Sequence, residues 1–552
     1  MTFIFCSGLK EAAWPRPMFL LQLATTASLD LAGLPARFES IVQPVLSAQA
    51  LKWNTSISLG IQVGNAPALA AVAGVDDKAT GSALTAQNQI PMGSATKLWT
   101  AVLCLSAAQN GTLDLDEPVY TIVDSWLTNA NGTTLLQLWN GDTTINTVTT
   151  RQLLGMRAGL QDYDDQKLKA FQIDPVTGKI DVTPFDFLHT LDKTFLFKPG
   201  AGGSYSSVGY MLAGLVYAAA TGVADWKDVD QSAMVPPSLA DAVKEGIYFV
   251  DEGLCSAYPG IAHQYTTVAS QEVASAYWSE VAFRDLYETS CLNGWTCGNI
   301  AARPATLSRL MHYLFSPLTA QKERILNATS IAQMETFRPF SEGFAVGLPV
   351  SVEAGSRSSD PARAPFLPPA CPRHEPATRA PHARSRLPPF VPTLRCATRR
   401  TVCTVVPSCP QYGLGLMNGS IGGSAAPGAS APAEYLAVIG HAGQDYGSGA
   451  PLHYYNKKLD LAIVLAIASD SGLNCTDLGG ASQMSGEVEC EVYSAVLLAL
   501  TNGTIGPLQC GDALAADALR AATAASPTVP LAALAAPRPV SAAAHAADAL
   551  AA

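Results

Sequence analysis

Pro91-Met92-Gly93-Ser94-Ala95-Thr96-Lys97-Leu98-Trp99 places a serine and a lysine three positions apart at the start of an apolar stretch. Three residues is just under one helical turn, so in a helix the hydroxyl and the amine share a face. A serine hydroxyl is a weak nucleophile until a base takes its proton. A lysine amine can be that base when desolvation or a nearby positive charge lowers its pKa. A helix N-terminus adds partial positive charge around the serine. The pair therefore points to an acyl-enzyme on Ser94, if the rest of the chain supplies its partners. Ser-x-x-Lys alone is weak evidence, because a chain of 552 residues contains about one by chance.

The surroundings give the pair a setting. Residues 55–75 read as two strands, Thr55–Val63 and one around Ala70–Ala73, joined at Gly64-Asn65-Ala66-Pro67. Residues 94–109 read as a helix stopped near Asn110-Gly111. The stretch 112–350 is mostly helical pattern broken by loops. One helix follows Ser206, with Val208, Met211, Leu212, Leu215 and Val216 on its apolar side, and another covers about 305–315. Strand-like runs return at Tyr435–Ile439, about His453–Tyr455 and Leu461–Ala468, followed by a helix over roughly Glu491–Leu500.

The division expected from these patterns is an N-terminal segment over 1–49, a folded domain over 50–350 that resumes over 411–510, and an alanine-rich tail over 511–552. Lys10, Arg16 and the apolar run Met18–Ala24 make a weak signal peptide of the first segment. Residues 351–410 hold nine arginines, three acids and twelve of the 37 prolines. That density of proline forms neither helix nor central strand, so they read as a disordered insertion.

Composition narrows the function. The chain is 48% hydrophobic with a formal net charge of −11, which argues against nucleic acid as a partner. No run of 18 uncharged apolar residues occurs, so no transmembrane helix is expected. Cys255, Cys291, Cys297, Cys475, Cys490 and Cys510 lie near predicted loops and suggest disulfides. Cys291/Cys297 is one plausible local loop, and Cys104 reads as a buried free thiol. Asn-x-Ser/Thr occurs at Asn54, Asn110, Asn131, Asn327, Asn418, Asn474 and Asn502. Disulfides and sequons both point to a secreted protein.

Three further stretches stand downstream of Ser94. The first is Arg151-Gln152-Leu153-Leu154-Gly155-Met156-Arg157-Ala158-Gly159-Leu160, leading into an acidic loop of Asp162, Asp164 and Asp165 that reads as a solvated turn. The second is Tyr205-Ser206-Ser207-Val208-Gly209-Tyr210-Met211-Leu212-Ala213-Gly214. The third is Ile439-Gly440-His441-Ala442-Gly443-Gln444-Asp445. In this order they resemble the serine β-lactamase-related family, in its branch of class C β-lactamases, D-alanyl-D-alanine carboxypeptidases and esterases. That family carries Ser-x-x-Lys, then Tyr-x-Asn followed by Gly-Tyr-x-Leu-x-Gly, then Lys-Thr-Gly or His-x-Gly. The match spans roughly 50–505, interrupted by 351–410.

The resemblance implies an α+β fold, with an antiparallel sheet flanked by helices and a second, mainly helical lobe. It implies Ser94 as nucleophile, with Lys97 and Tyr205 sharing the general-base work; which of them takes the serine proton stays open. It also implies an oxyanion hole from the backbone N–H groups of Ser94 and Gln444, and a substrate edge at His441 and Gly443, with Ser207 as a further contact. Two departures matter. Ser207 stands where the family often has asparagine. His441 stands where β-lactamases have lysine, exchanging a permanent charge for a titratable one. Both favour an esterase- or peptidase-like hydrolase acting on a small ester or peptide-like substrate.

No Cys/His set has zinc spacing and no glycine-rich loop ends in Lys-Ser/Thr, so no metal and no other cofactor is expected. A catalytically inactive binding or assembly protein of the same fold is the alternative. A Ser-His-Asp hydrolase of α/β type lacks its Gly-x-Ser-x-Gly here.

Overall fold

The computed structural model describes residues 29, 31–162, 180–267, 283–318, 324–339, 411–421, 431–469, 478–508 and 510. The expected insertion at 351–410, the tail beyond 510, the N-terminal apolar run, Cys475 and Asn474 lie outside the described residues.

The elements that position the site are, in chain order, α1 (Gln43–Trp53), β1 (Ile57–Val63), β2 (Leu69–Ala73), α2 (Thr96–Gln109), α3 (Ser207–Thr221), α4 (Pro304–Phe315), β3 (Arg338–Pro339), β4 (Gln411–Tyr412), β5 (Met417–Ser420), β6 (Ala437–Gly440), β7 (Gly443–Gln444), β8 (Gly449–Asn456), β9 (Leu461–Ile467) and α5 (Leu478–Leu500). The nine strands form one antiparallel sheet in the order β3-β4-β5-β6-β8-β9-β1-β2, with β7 paired to the start of β8. The N-terminal and C-terminal strands thus share a sheet: Ile57 sits opposite Ile467, and Val63 opposite Leu461. This is the α+β architecture expected from the resemblance.

β9 shows why the sheet has two covered faces. Its side chains alternate sides with a period of two. Leu461, Ile463, Leu465 and Ile467 enter a core with Val45, Leu46 and Trp53 of α1 and Val488, Val492 and Val496 of α5. The smaller Ala462, Val464 and Ala466 face the other core, with Leu307, Leu310 and Met311 of α4. Each large aliphatic side chain buried this way contributes about 1.5–3 kcal/mol. α5 begins at Leu478, more than a turn before the expected start near Glu491, and Met484 and Val488 are buried on it.

α2 is the other key element. Thr96 through Leu105 are all buried, so it is a core helix enclosed on every side. It belongs to the larger core, between the sheet and the helical lobe that contains α3. α3 starts where the sequence announces it: the Ser206 side chain accepts from the Gly209 N–H, and Gly222 closes the helix in a left-handed conformation. Among the described residues no helix is long and apolar enough to cross a membrane.

Candidate active site

Ser94 stands in a short 3-10 turn, Gly93–Ala95, that runs directly into α2. It is partly exposed, while Lys97 one turn on is fully buried. Lys97 Nζ donates to Ser94 Oγ at 2.9 Å and to the Cys297 carbonyl at 3.0 Å. Tyr205 Oη donates to the same Ser94 Oγ at 2.8 Å. The Lys97 ammonium also lies 4.9 Å from the centre of the Tyr205 ring and 5.9 Å from that of Tyr210. The three residues named from the sequence therefore converge on one oxygen.

Their protonation is coupled. Burial works against the Lys97 charge, but the neighbouring Tyr205, Cys297 and Asp162 outweigh it and the lysine pKa is raised. Burial also raises the Tyr205 pKa, against the pull of Lys97. At neutral pH the resting pair is thus an ammonium beside a phenol. Groups this close gain and lose protons as a pair.

Tyr205 is aimed by its surroundings. The Ser204 N–H donates to the Met156 carbonyl, and the Ser206 N–H donates to the Met156 thioether at 3.2 Å. Met156 holds a left-handed φ of 57° to do so. Behind it, Tyr210 Oη donates to the Leu154 carbonyl at 2.6 Å and accepts from Tyr412 at 3.2 Å. The 151–160 stretch is therefore the support on which the Tyr205 segment rests.

The opposite wall is β7. Gly443 lies so close to the Gly93–Ala95 turn that a Cβ there would stand 1.9 Å from the Met92 carbonyl oxygen and 3.0 Å from the Ser94 nitrogen. Gly93, with φ of 53°, meets β7 from the other side: a Cβ on it would fall 2.1 Å from the Gln444 carbonyl oxygen. Only residues without side chains allow this approach. It brings the backbone of Gln444, itself exposed, beside that of Ser94.

His441 follows β6 and is fully buried. Its Nδ1 lies 2.6 Å from the Ala442 carbonyl, which can only accept, so Nδ1 carries the proton. Its Nε2 is then a bare lone pair, and it has no hydrogen-bond partner. The ring centre lies 6.3 Å from that of Tyr205 and 5.6 Å from that of Tyr412. Burial, followed by the Lys97 charge, holds His441 well below the ordinary histidine pKa. It is a neutral acceptor in this site.

Ser207 is buried at the start of α3. Its N–H donates to Asp162 Oδ1 at 3.0 Å, and its side chain hydrogen-bonds the Cys297 thiol. Asp162 is therefore part of the site's wall and not the free solvated turn expected from its acidic loop; Asp164 and Asp165 lie outside the described residues.

Cys297 is a residue the sequence reading misplaced. Cys255 pairs with Cys291, at a Cα separation of 4.6 Å, and Cys490 pairs with Cys510. The plausible Cys291/Cys297 loop does not form. Gly294 turns left-handed, and the short turn Trp295–Cys297 directs the thiol inward. Cys297 stays free and buried, as does Cys104, which matches the expectation for that thiol. Burial pushes the Cys297 thiol up to about 11, so it is not a nucleophile at neutral pH.

Away from the cleft, Asp77, His263 and Asp285 bring possible ligand atoms within 4.8 Å of one another. His263 Nδ1 already lies 2.6 Å from Asp285, and both Asp77 oxygens accept from Ala79 and Thr80 of their own turn. The cluster satisfies itself without an ion.

Known proteins share this fold. The structure is similar to a D-amino acid amidase from Ochrobactrum anthropi SV3 complexed with L-phenylalanine amide, with 19% identity, a TM-score of 0.54, and coverage of 85% of this chain and 99% of that one. It is also similar to a D-stereospecific amidohydrolase from Streptomyces sp., at 17% identity and a TM-score of 0.50, covering 81% of this chain and 97% of the other. At such identities the likeness is one of fold. The sequence pattern of the Beta-lactamase family matches residues 48–361, more than half of the chain, and the chain belongs to that family.

Proposed function

We propose that the protein is a serine hydrolase that cleaves a small amide or ester through an acyl-enzyme on Ser94. The observation that carries this reading is the meeting of Lys97 Nζ and Tyr205 Oη on Ser94 Oγ, at 2.9 and 2.8 Å, at the open end of a buried helix. Nucleophile and base lie within hydrogen-bond reach; the turn into α2 holds Ser94, and Met156 supports the Tyr205 segment.

The reaction begins when the Lys97–Tyr205 pair has lost one proton. Tyr205, stabilised as a phenolate by the adjacent ammonium, takes the Ser94 proton as Oγ attacks the substrate carbonyl carbon. The Ser94 and Gln444 N–H groups stabilise the oxygen that becomes negative. Tyr205 then returns the proton to the leaving nitrogen or oxygen as its bond to carbon breaks. Water enters, Tyr205 takes its proton, and the ester to Ser94 is hydrolysed by the same steps.

His441 sets the kind of substrate. A carboxylate docks on a cation, and a neutral imidazole that presents a lone pair offers none. This favours amides and esters with no acid group on the leaving side over penicillins and peptides ending in a free carboxylate. The fold shared with a D-amino acid amidase supports the amide reading. The two disulfides support a secretory setting. The test is intact-protein mass after treatment with a fluorophosphonate. The adduct should map to Ser94 and vanish in Ser94→Ala. An unlabelled wild-type protein with no esterase or amidase activity sinks the proposal in favour of a binding role.

A further inference from the structure

The sheet is irregular where it meets the cleft. β6 pairs with β8 through Ile439 opposite Tyr455 and Gly440 opposite Tyr454. β7 pairs with the same strand through Gly443 opposite Ala450 and Gln444 opposite Gly449. Between these two ladders His441 and Ala442 face Pro451, Leu452 and His453, so β8 carries an extra residue, a bulge. Pro451 has no N–H with which to continue the ladder. The corner that leads from His441 to Gln444 therefore crosses a gap in the pairing.

A side chain takes the place of the missing ladder bond. In a regular antiparallel pair two facing residues exchange two backbone hydrogen bonds. The His441 N–H does donate to the His453 carbonyl, at 3.0 Å. The return bond to the His441 carbonyl is made by the His453 ring, whose Nδ1 lies 3.1 Å away. A carbonyl only accepts, so Nδ1 carries the proton. Burial pushes the His453 pKa down to about 4, and the ring is neutral at neutral pH. Gly440 lets the strands come this close: a Cβ on it would stand 2.1 Å from the His453 carbonyl oxygen. The His453 ring also lies against Trp99 of α2, with ring centres 5.9 Å apart.

Packing alone does not account for a histidine here. The residue is fully buried, and its Nε2 has no hydrogen-bond partner. An unmatched buried polar atom is destabilising, and an apolar ring would fill the same space without one. What the imidazole adds is the Nδ1 bond. We infer that His453 is a positioning residue for the proposed reaction: its ring fixes the His441 carbonyl and so sets the Gln444 N–H against Ser94. The inference rests on the hydrolase reading above and deepens it, because it names what holds the oxyanion wall in place. His453 acts on the reaction only through this backbone.

The test uses three variants of the full chain. His453→Phe keeps a buried ring and removes the donor. His453→Asn keeps a donor, since its side-chain nitrogen is as many bonds from Cα as histidine Nδ1. His453→Gln sets that nitrogen one carbon too far. Two quantities are read: the rate at which a fluorophosphonate labels Ser94, and kcat and KM on a p-nitrophenyl acyl ester, counted per Ser94 that takes the label. Counting this way removes any loss of folded protein from the comparison. His453→Phe and His453→Gln should each lower the labelling rate and kcat by about tenfold or more, with KM within about twofold, because a misplaced oxyanion donor weakens the transition state alone. His453→Asn should return both to within about threefold of wild type. Full rates per labelled Ser94 in His453→Phe and His453→Gln overturn the inference, as does a His453→Asn variant no more active than they are. If only one of the first two folds, it carries the comparison; if neither folds, the bond serves stability and the inference is overturned. Wild-type protein that takes no label and cleaves no ester is instead the failure of the hydrolase reading, and this inference falls with it.

Discussion

The two walls of the cleft are built on opposite principles. The Ser94 wall works through side chains: Ser94, Lys97 and Tyr205 each place one polar atom, and a buried helix with the turn that leads into it holds two of them. The β7 wall works through omission. Gly443 and Gly93 keep side chains out so that two backbones can touch, and the role proposed for it resides in peptide N–H groups, which every residue but proline possesses. The first wall is sensitive to which atoms are present. The second is sensitive to where the backbone runs.

The deepest break in the first wall is Ser94→Ala. It removes the attacking oxygen and should lower kcat by roughly 10⁵- to 10⁶-fold, as deletion of a nucleophile does elsewhere. The protein should stay folded, because Ser94 lies partly exposed at a helix end and alanine fits the turn. Steady-state hydrolysis and a melting curve, measured together, check both halves.

The second wall breaks differently. Gly443→Ala adds one methyl group, but that carbon would stand 1.9 Å from the Met92 carbonyl oxygen, which is backbone and cannot swing away. β7 must move off the nucleophile turn. Activity should fall by about 100-fold or more, the scale of losing an oxyanion donor. Stability should fall by about 1–3 kcal/mol. Gly419→Ala on β5 is the control, since nothing lies within 4 Å of a Cβ there. If the two variants behave alike, the close approach is not what shapes the site.

The same contrast explains what could be read from the sequence. Ser94, Lys97 and Tyr205 sit in short contiguous motifs, and helix periodicity and strand alternation are local, so they were legible. The strands at both ends of the chain could be expected in one sheet from the resemblance and from their apolar runs. Cys297 could not be placed. A spacing of six residues permits a disulfide, but the turn after Gly294 sends the thiol inward, and Cys291 finds Cys255 thirty-six residues away. Asp162 read as a solvated turn because its acidic neighbours dominate the local pattern; its contact with the Ser207 N–H spans 45 residues.

pH sharpens the comparison next. Lys97 and Tyr205 both have raised pKa values, and the proposed mechanism needs the pair with one proton fewer. The rate should therefore climb toward alkaline pH as that proton leaves. His441 is held well below 6.5 and should add no step near neutrality. A kcat/KM profile from pH 5 to 10 reads that climb (~ one titration step).

The smallest effect should come from Cys297→Ser, although this residue touches Lys97 directly. The contact is made by the Cys297 carbonyl, at 3.0 Å from Lys97 Nζ, and any residue supplies a carbonyl if the turn survives. The turn is set by the left-handed Gly294, which the substitution does not alter. The thiol serves as a small packing group with a weak hydrogen bond to Ser207, and a serine hydroxyl can replace both. Activity should stay within about threefold of wild type, an energy difference below about 1 kcal/mol. Cys297→Phe forces the turn outward from beneath α3 and should cost far more. A large loss in the serine variant would show that the thiol itself tunes Lys97, and would move Cys297 from the backbone wall to the side-chain wall.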